Sequence, residues 1–190
     1  MKRWLQSMMW CCCAAVAVAG CAQPQPMDMS KMKAPERPKE LDQLDPWVGN
    51  WAVTGEATMN GQKMTSTGTS TISWDCDKWV LVEHMTAKMG EMNESGMVVY
   101  TWCTKDKKFT TFYCNNMGEA STGEMTYCED NKCKCWCMKG KGPNPMTGET
   151  MIFEGCLKMP DNNTMDFSWS MWDGWHLKKT GEGKGTAKRS

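Results

Sequence analysis

The sequence is short of nearly everything a catalytic reading needs. Only two histidines, His84 and His176, serve 190 residues, so no paired-histidine metal motif exists at any spacing. No Cys-X-X-Cys occurs, which removes the thioredoxin-like redox pair and the ordinary zinc knuckle. A nucleophile elbow, a phosphate loop and a dinucleotide fingerprint are also missing, so the residues argue against an enzyme. Excess charge of either sign is lacking as well. Lys plus Arg number 22 against 22 Asp plus Glu, and the basic residues are dispersed, which leaves no footprint for nucleic acid. Leucine is scarce, at Leu5, Leu41, Leu44, Leu81, Leu157 and Leu177, and nothing after Pro46 sustains a helical period, which excludes a helix bundle.

What is present begins with an addressed N-terminus. Lys2 and Arg3 precede an apolar stretch, Leu5 to Ala19, too short to cross a bilayer as a mature helix. It closes on Val18-Ala19-Gly20-Cys21, which resembles a bacterial lipoprotein signal. The resemblance implies cleavage before Cys21, a diacylglycerol on its sulfur and an acylated amine, an anchor with more than one chain. The expected organisation is a signal peptide over 1–20, a lipidated cysteine and Pro/Lys/Gln-rich tether over 21–40, and one folded domain over 41–190. The expected location is the bacterial cell envelope, periplasm-facing, with the membrane as a partner. Ala22 is not the acidic residue that enterobacterial sorting reads as inner-membrane retention, which favours the outer membrane. Setting Cys11, Cys12, Cys13 and Cys21 aside leaves eight cysteines in the domain, an even number that favours disulfides in an oxidising compartment.

The domain reads as all-β. Ten short segments fall near residues 51–59, 62–74, 79–89, 97–104, 108–114, 119–128, 133–141, 149–158, 164–171 and 175–184, each bounded by turn residues. In the first, Trp51, Val53, Gly55, Ala57 and Met59 share one face while Ala52, Thr54, Glu56 and Thr58 share the other. Asn60-Gly61 tolerates the positive φ of a type I′ hairpin turn. Leu41-Asp42-Gln43-Leu44 predicts a helical turn ahead of Pro46. Consecutive hairpins force antiparallel neighbours, and closing the meander removes its exposed edges, so the expected fold is an antiparallel up-and-down β-barrel of about ten strands. Lys188 and Arg189 read as a solvated basic tail.

Gly49-Asn50-Trp51 resembles the Gly-X-Trp opening of lipocalin-like (calycin) barrels, in which the Trp packs across the closed end. Together with Leu44 to Trp51, Thr67-Gly68-Thr69-Ser70, the run Gly118 to Gly123 and Pro145-Met146-Thr147-Gly148, it makes residues 41 to 189 similar to the bacterial domain-of-unknown-function family 1579. That family is Met-rich and calycin-like, and it has no agreed catalytic residues to carry over. The resemblance implies a barrel with ligand entry opposite the N-terminal plug.

A strict meander sends alternate turns to opposite ends, and the chain holds 20 methionines to sort. Met59, Met64, Met89, Met92, Met97, Met117, Met146 and Met171 fall at one end, and mostly charged turns fall at the plugged end. This places Met59, Met64, Met89, Met92, Met117 and Met146 around an open mouth suited to a small apolar ligand or to a soft ion such as Cu(I). The competing reading is that Met replaces Leu as a gap-filler. Cys133, Cys135 and Cys137 share a strand face, and Cys128 faces Cys133 across a four-residue turn, a candidate disulfide. The same thiols, if reduced, would suit a soft metal. Within calycin-like barrels a late-strand histidine can hold haem, which makes His176 a conceivable axial ligand. Trp169, Trp172 and Trp175 crowd the same end, and Glu83, Glu119 and Glu124 are candidate interior carboxylates. The functional expectation is a lipid-anchored envelope protein that binds a small apolar or soft ligand. The alternatives are a copper or haem binder, or a filled, non-binding structural lipoprotein. Oligomeric state is not legible.

Overall fold

The computed structural model describes Lys33 and residues 35–129, 134–144 and 147–190. A 3-10 helix, Lys39–Trp47, leads into ten strands. These are β1 (Gly49–Met59), β2 (Gln62–Asp75), β3 (Val80–Met89), β4 (Met92–Cys103), β5 (Lys108–Asn115), β6 (Ala120–Glu129), β7 (Lys134–Pro143), β8 (Thr150–Asp161), β9 (Thr164–Asp173) and β10 (Lys179–Arg189). Every strand pairs antiparallel with its sequence neighbours, and β1 pairs with β10 to close the barrel. The helix and all ten strands lie within one unit, Glu36–Ser190, which holds its own core.

Local chemistry accounts for the meander. Asn60 and Gly61 take φ values of 49° and 83°, the positive pair that a two-residue hairpin turn needs. Met59 pairs with Gln62 across that turn, as the sequence pattern requires. The β3–β4 hairpin is equally tight, with Met89 opposite Met92 and Gly90 at φ 60°. The fourth strand therefore starts at Met92 rather than near residue 97. The tenth starts at Lys179 rather than near 175, which leaves Trp175 and His176 in a turn.

One end of the barrel is shut. Leu41, Leu44 and Trp47 are at most 1 % exposed, and they fill the space among Trp51, Leu81, Tyr100, Phe109, Trp136 and Met165. Trp47 meets both Tyr100 and Trp136 edge-on, at 5.3 and 5.6 Å between ring centroids. Trp51 donates its Nε1 hydrogen to the Trp47 carbonyl at 2.9 Å, so the first strand holds the plug helix directly. Arg189 is no solvated tail. Its guanidinium stacks over the Trp51 ring at 4.3 Å and donates to the carbonyls of Val48, Pro46 and Asn162, tying the last strand to the plug and to the β8–β9 turn. Lys188 donates to Thr164 on the neighbouring strand.

Candidate functional site

The opposite half of the interior is built differently. Strand alternation, anchored by buried Trp51, Ile72, Leu81, Tyr100, Phe109, Met125, Trp136 and Met165, fixes which residues point inward. Toward the far end these include Met59, Met64, Ser66, Met85, Ala87, Met89, Tyr113, Met138, Gly155, Trp169, Met171 and Gly183. These twelve are part-exposed, although Ala57 and Gly181 beside them are buried, whereas the residues packed on the plug, Trp51, Leu81, Tyr100, Phe109, Trp136 and Met165, are all buried. The barrel is therefore packed at the plug and less filled toward the other end. A concavity of about 1200 Å³ follows the β1–β10–β9–β8 strands, but outward residues such as Glu56, Glu154, Ser168 and Lys184 make up most of its lining and inward Ala57, Met64, Trp169 and Gly183 the lesser part, so it belongs largely to the outer face.

Glycine makes the room. A Cβ on Gly183 would sit 2.6 Å from the Trp169 ring, so the indole lies flat against bare backbone. A Cβ on Gly181 would likewise meet the Met59 sulfur at 2.6 Å and the Met171 methyl at 3.1 Å, which places those two thioethers side by side. This wall is apolar and polarizable.

The facing strands, β2 to β6, add Met64, Met85, Met89 and Met92 but also carry the polar groups of the interior. Deeper in, Glu83 accepts from Ser70 Oγ at 2.6 Å and from Tyr100 Oη at 2.7 Å. Burial first, then the Glu83 charge and hydrogen bond, push the Tyr100 hydroxyl well above its ordinary range. Nearer the mouth, Tyr113 donates to Glu94, and Asn115 Nδ2 reaches Tyr113 at 3.0 Å, Glu94 at 3.3 Å and Glu119 at 3.3 Å. Desolvation, and secondly the Glu94 charge, raise the Glu119 carboxyl above its usual range. Tyr113 is also raised, by burial, the Glu94 hydrogen bond and the Glu94 charge. Thioethers thus line the open half on both sides, with the Trp169 indole on one and tyrosines and carboxylates among the methionines of the other.

The predicted site residues fall as follows. Met59, Met64, Met89 and Met92 lie at the open end and on inward positions of their strands, Met92 being 45 % exposed at the rim. Met117 sits in the β5–β6 turn of the same rim, exposed, with its amide held by Asn115 Oδ1. Met146, Cys133 and Cys21 lie outside the described residues. Met97 faces outward, in register with Cys114 on β5. Cys128 is a free thiol in register with Cys135, and Cys133, its expected partner, lies outside the described residues. Cys76, Cys103, Cys114 and Cys156 are free as well. Among the described residues no three His, Cys, Asp or Glu side chains converge on a metal-holding geometry.

His176 is not a late-strand residue aimed into the barrel. It occupies the β9–β10 turn at φ 59°, its Nε2 lies 3.4 Å from Glu154, and its ring packs edge-on against Trp172. Glu154 and Trp172 both stand on outward positions of their strands, so the imidazole belongs to the outer surface and is withdrawn as a haem ligand. Glu124 also faces outward, paired with Lys108. Sequence reasoning missed Glu94, Tyr113, Asn115, Met85 and Met138. Their signal was the even or odd position each shares with the buried residues of its own strand.

The sequence matches the family described as "Protein of unknown function (DUF1579)" over residues 36–179. The chain belongs to this family. The DUF1579 barrel is also similar in fold to Rv2717c from M. tuberculosis, with a TM-score of 0.65 at 12 % identity, covering 82 % of this chain and 99 % of that one. A second solved structure, the S-type phycobiliprotein lyase CPES from Guillardia theta, matches with a TM-score of 0.55 at 12 % identity, covering 81 % of this chain and 94 % of that one. No curated protein matches the DUF1579 sequence.

Proposed function

We propose that this DUF1579 protein binds a small amphipathic molecule in the open half of its barrel. The observation that carries the reading is the contrast between a plug core whose side chains are at most 6 % exposed and a far end where Met59, Met64, Met85, Met89, Tyr113, Trp169 and Met171 remain part-exposed. The ligand's apolar body would lie on Met59, Met64, Trp169 and Met171. A hydrogen-bond donor on the ligand would reach Glu119, which accepts from Asn115, or Glu94, which accepts from Tyr113 and Asn115 and has a second carboxylate oxygen. A lipid anchor at Cys21 would hold the binder in the cell envelope, on the outer membrane and facing the periplasm. The fold neighbour named as a lyase is compatible with a small-molecule barrel.

Titration with N-phenyl-1-naphthylamine, an uncharged fluorophore that brightens in apolar surroundings, tests the reading. Ala87 points into the hollow and is part-exposed there, so Ala87→Phe would occupy the space a ligand needs. The expected result is saturable enhancement in the native protein and a loss of affinity of about tenfold or more in the variant, with the melting temperature kept. Equal affinity in both proteins would sink the proposal. Cu(I) titration in parallel, with Met59, Met64 and Met89 replaced by Leu, reads the soft-ion alternative separately.

A further inference from the structure

We propose that the open end of the barrel docks on a phospholipid bilayer through the β9–β10 turn, with Trp175 and Leu177 entering the interface. Trp175 is 85 % exposed and Leu177 82 %, the two largest exposures among the large hydrophobic side chains described. Frayed loops often show such values, yet this turn is built. Asp173 accepts the Leu177 amide on its carboxylate at 2.8 Å and the His176 amide on its carbonyl at 2.8 Å. The Asp173 amide in turn donates to the Lys178 carbonyl at 2.9 Å. His176 is fixed from the side by Glu154 and the Trp172 ring. A tip so held keeps an indole and a leucine in water, and an apolar partner would cover both.

The surroundings favour a bilayer as that partner. Lys178 follows the tip directly, and Lys179 beyond it is held by Glu182 at 2.9 Å, so the tip joins an indole and an aliphatic side chain to one neighbouring ammonium, a set that suits a headgroup boundary. Met92 and Met117, 45 % and 43 % exposed, stand on the same rim, so the apolar surface continues along the mouth. The apolar stretch Leu5 to Ala19 closing on Cys21 resembles a lipoprotein signal, which would bring the chain to a membrane. Residues 22 to 36 could reach about 50 Å when extended. Strands of this length span roughly 35 Å, so an anchor at Cys21 leaves enough chain for the mouth, at the end away from the plug, to face the same bilayer.

This inference concerns the rim and stands apart from cavity binding, because docking needs no ligand. The unit Glu36–Ser190 closes its own sheet and carries its own core, so it can be tested without the anchor. It is floated through a density gradient with vesicles of phosphatidylcholine, and with vesicles of phosphatidylcholine and phosphatidylglycerol. The expected result is co-flotation with both, stronger with the anionic lipid. A Trp175→Ser, Leu177→Ser double variant should lose about tenfold or more in partitioning, with an unchanged circular dichroism spectrum and melting temperature. Phe112→Ser, on an exposed outward position of β5, should float as the native unit does. The inference is overturned if the native unit stays at the bottom of both gradients. It is equally overturned if the double variant floats as well as the native unit, including the case in which flotation follows anionic lipid alone.

Discussion

Removing one hydroxyl at the floor of the hollow should cost more than its size suggests. Tyr100→Phe keeps the ring that meets Trp47 edge-on at 5.3 Å, so the aromatic packing survives. The loss is the hydrogen bond to Glu83 Oε2, 2.7 Å long and directed at a carboxylate in a part-buried position. Hydrogen bonds to charged groups contribute about 1.5–3 kcal/mol, and the carboxylate left behind keeps only its Ser70 bond at 2.6 Å. The expected cost of Tyr100→Phe is therefore about 2 kcal/mol at neutral pH, read as a shift in urea midpoint with an unchanged slope. A Glu83→Gln background supplies the control, since a neutral amide weakens the same contact. In a double-mutant cycle the two changes should couple by about 1 kcal/mol. A cost below about 0.5 kcal/mol together with zero coupling would refute the claim that this bond organises the floor.

Arg189→Met should lower stability by about 2–4 kcal/mol, because it removes three bonds to main-chain carbonyls and the stacking on Trp51, and thermal unfolding would register the loss. Glu119→Gln should stabilise the barrel at neutral pH. The folded-state pKa of Glu119 is raised, so its contribution is fully present below the ordinary glutamate value of about 4 and is lost as pH rises through the folded value. The benefit of the variant should accordingly shrink toward zero below about pH 4, and urea midpoints at the two pH values test the sign. Tyr100 and Tyr113 should resist ionisation in the folded state well above the ordinary tyrosine value of about 10, so stability should begin to fall above that pH, and ultraviolet titration of tyrosinate checks it.

Much of the barrel was legible because period two survives even where the residues are unusual. Trp51 to Met59 alternate cleanly, Asn60-Gly61 carries its own turn chemistry, and Leu41 and Leu44 are the apolar pair expected of a plug. Sorting turns by end also located the rim, since a meander leaves no freedom in which turn lies where. The start of β4 was hidden because Asn93, Glu94 and Ser95 read as loop, and Gly96 adds to that impression. Pairing with β3 overrides it, and the result is a carboxylate at an inward position that an apolar-in rule would not place. His176 was misplaced for the opposite reason. Trp175 and Leu177 suit a strand, yet the Asp173 carboxylate captures the Leu177 amide and turns the chain, and that bond also holds Asp173 below its usual range. Arg189 looked like a tail because nothing local shows that the last strand returns beside Trp51. Only closure of the sheet brings the two together.

The claim on which the functional reading rests is that the barrel is hollow at one end. Xenon enters dry apolar cavities, and a crystal of the barrel unit under xenon pressure would report on this directly. The account predicts xenon density between the Met59–Met171 pair and the Trp169 ring, and none among Trp47, Trp51 and Trp136. A far end without xenon, with Met64, Met89 and Trp169 collapsed against one another, would contradict it.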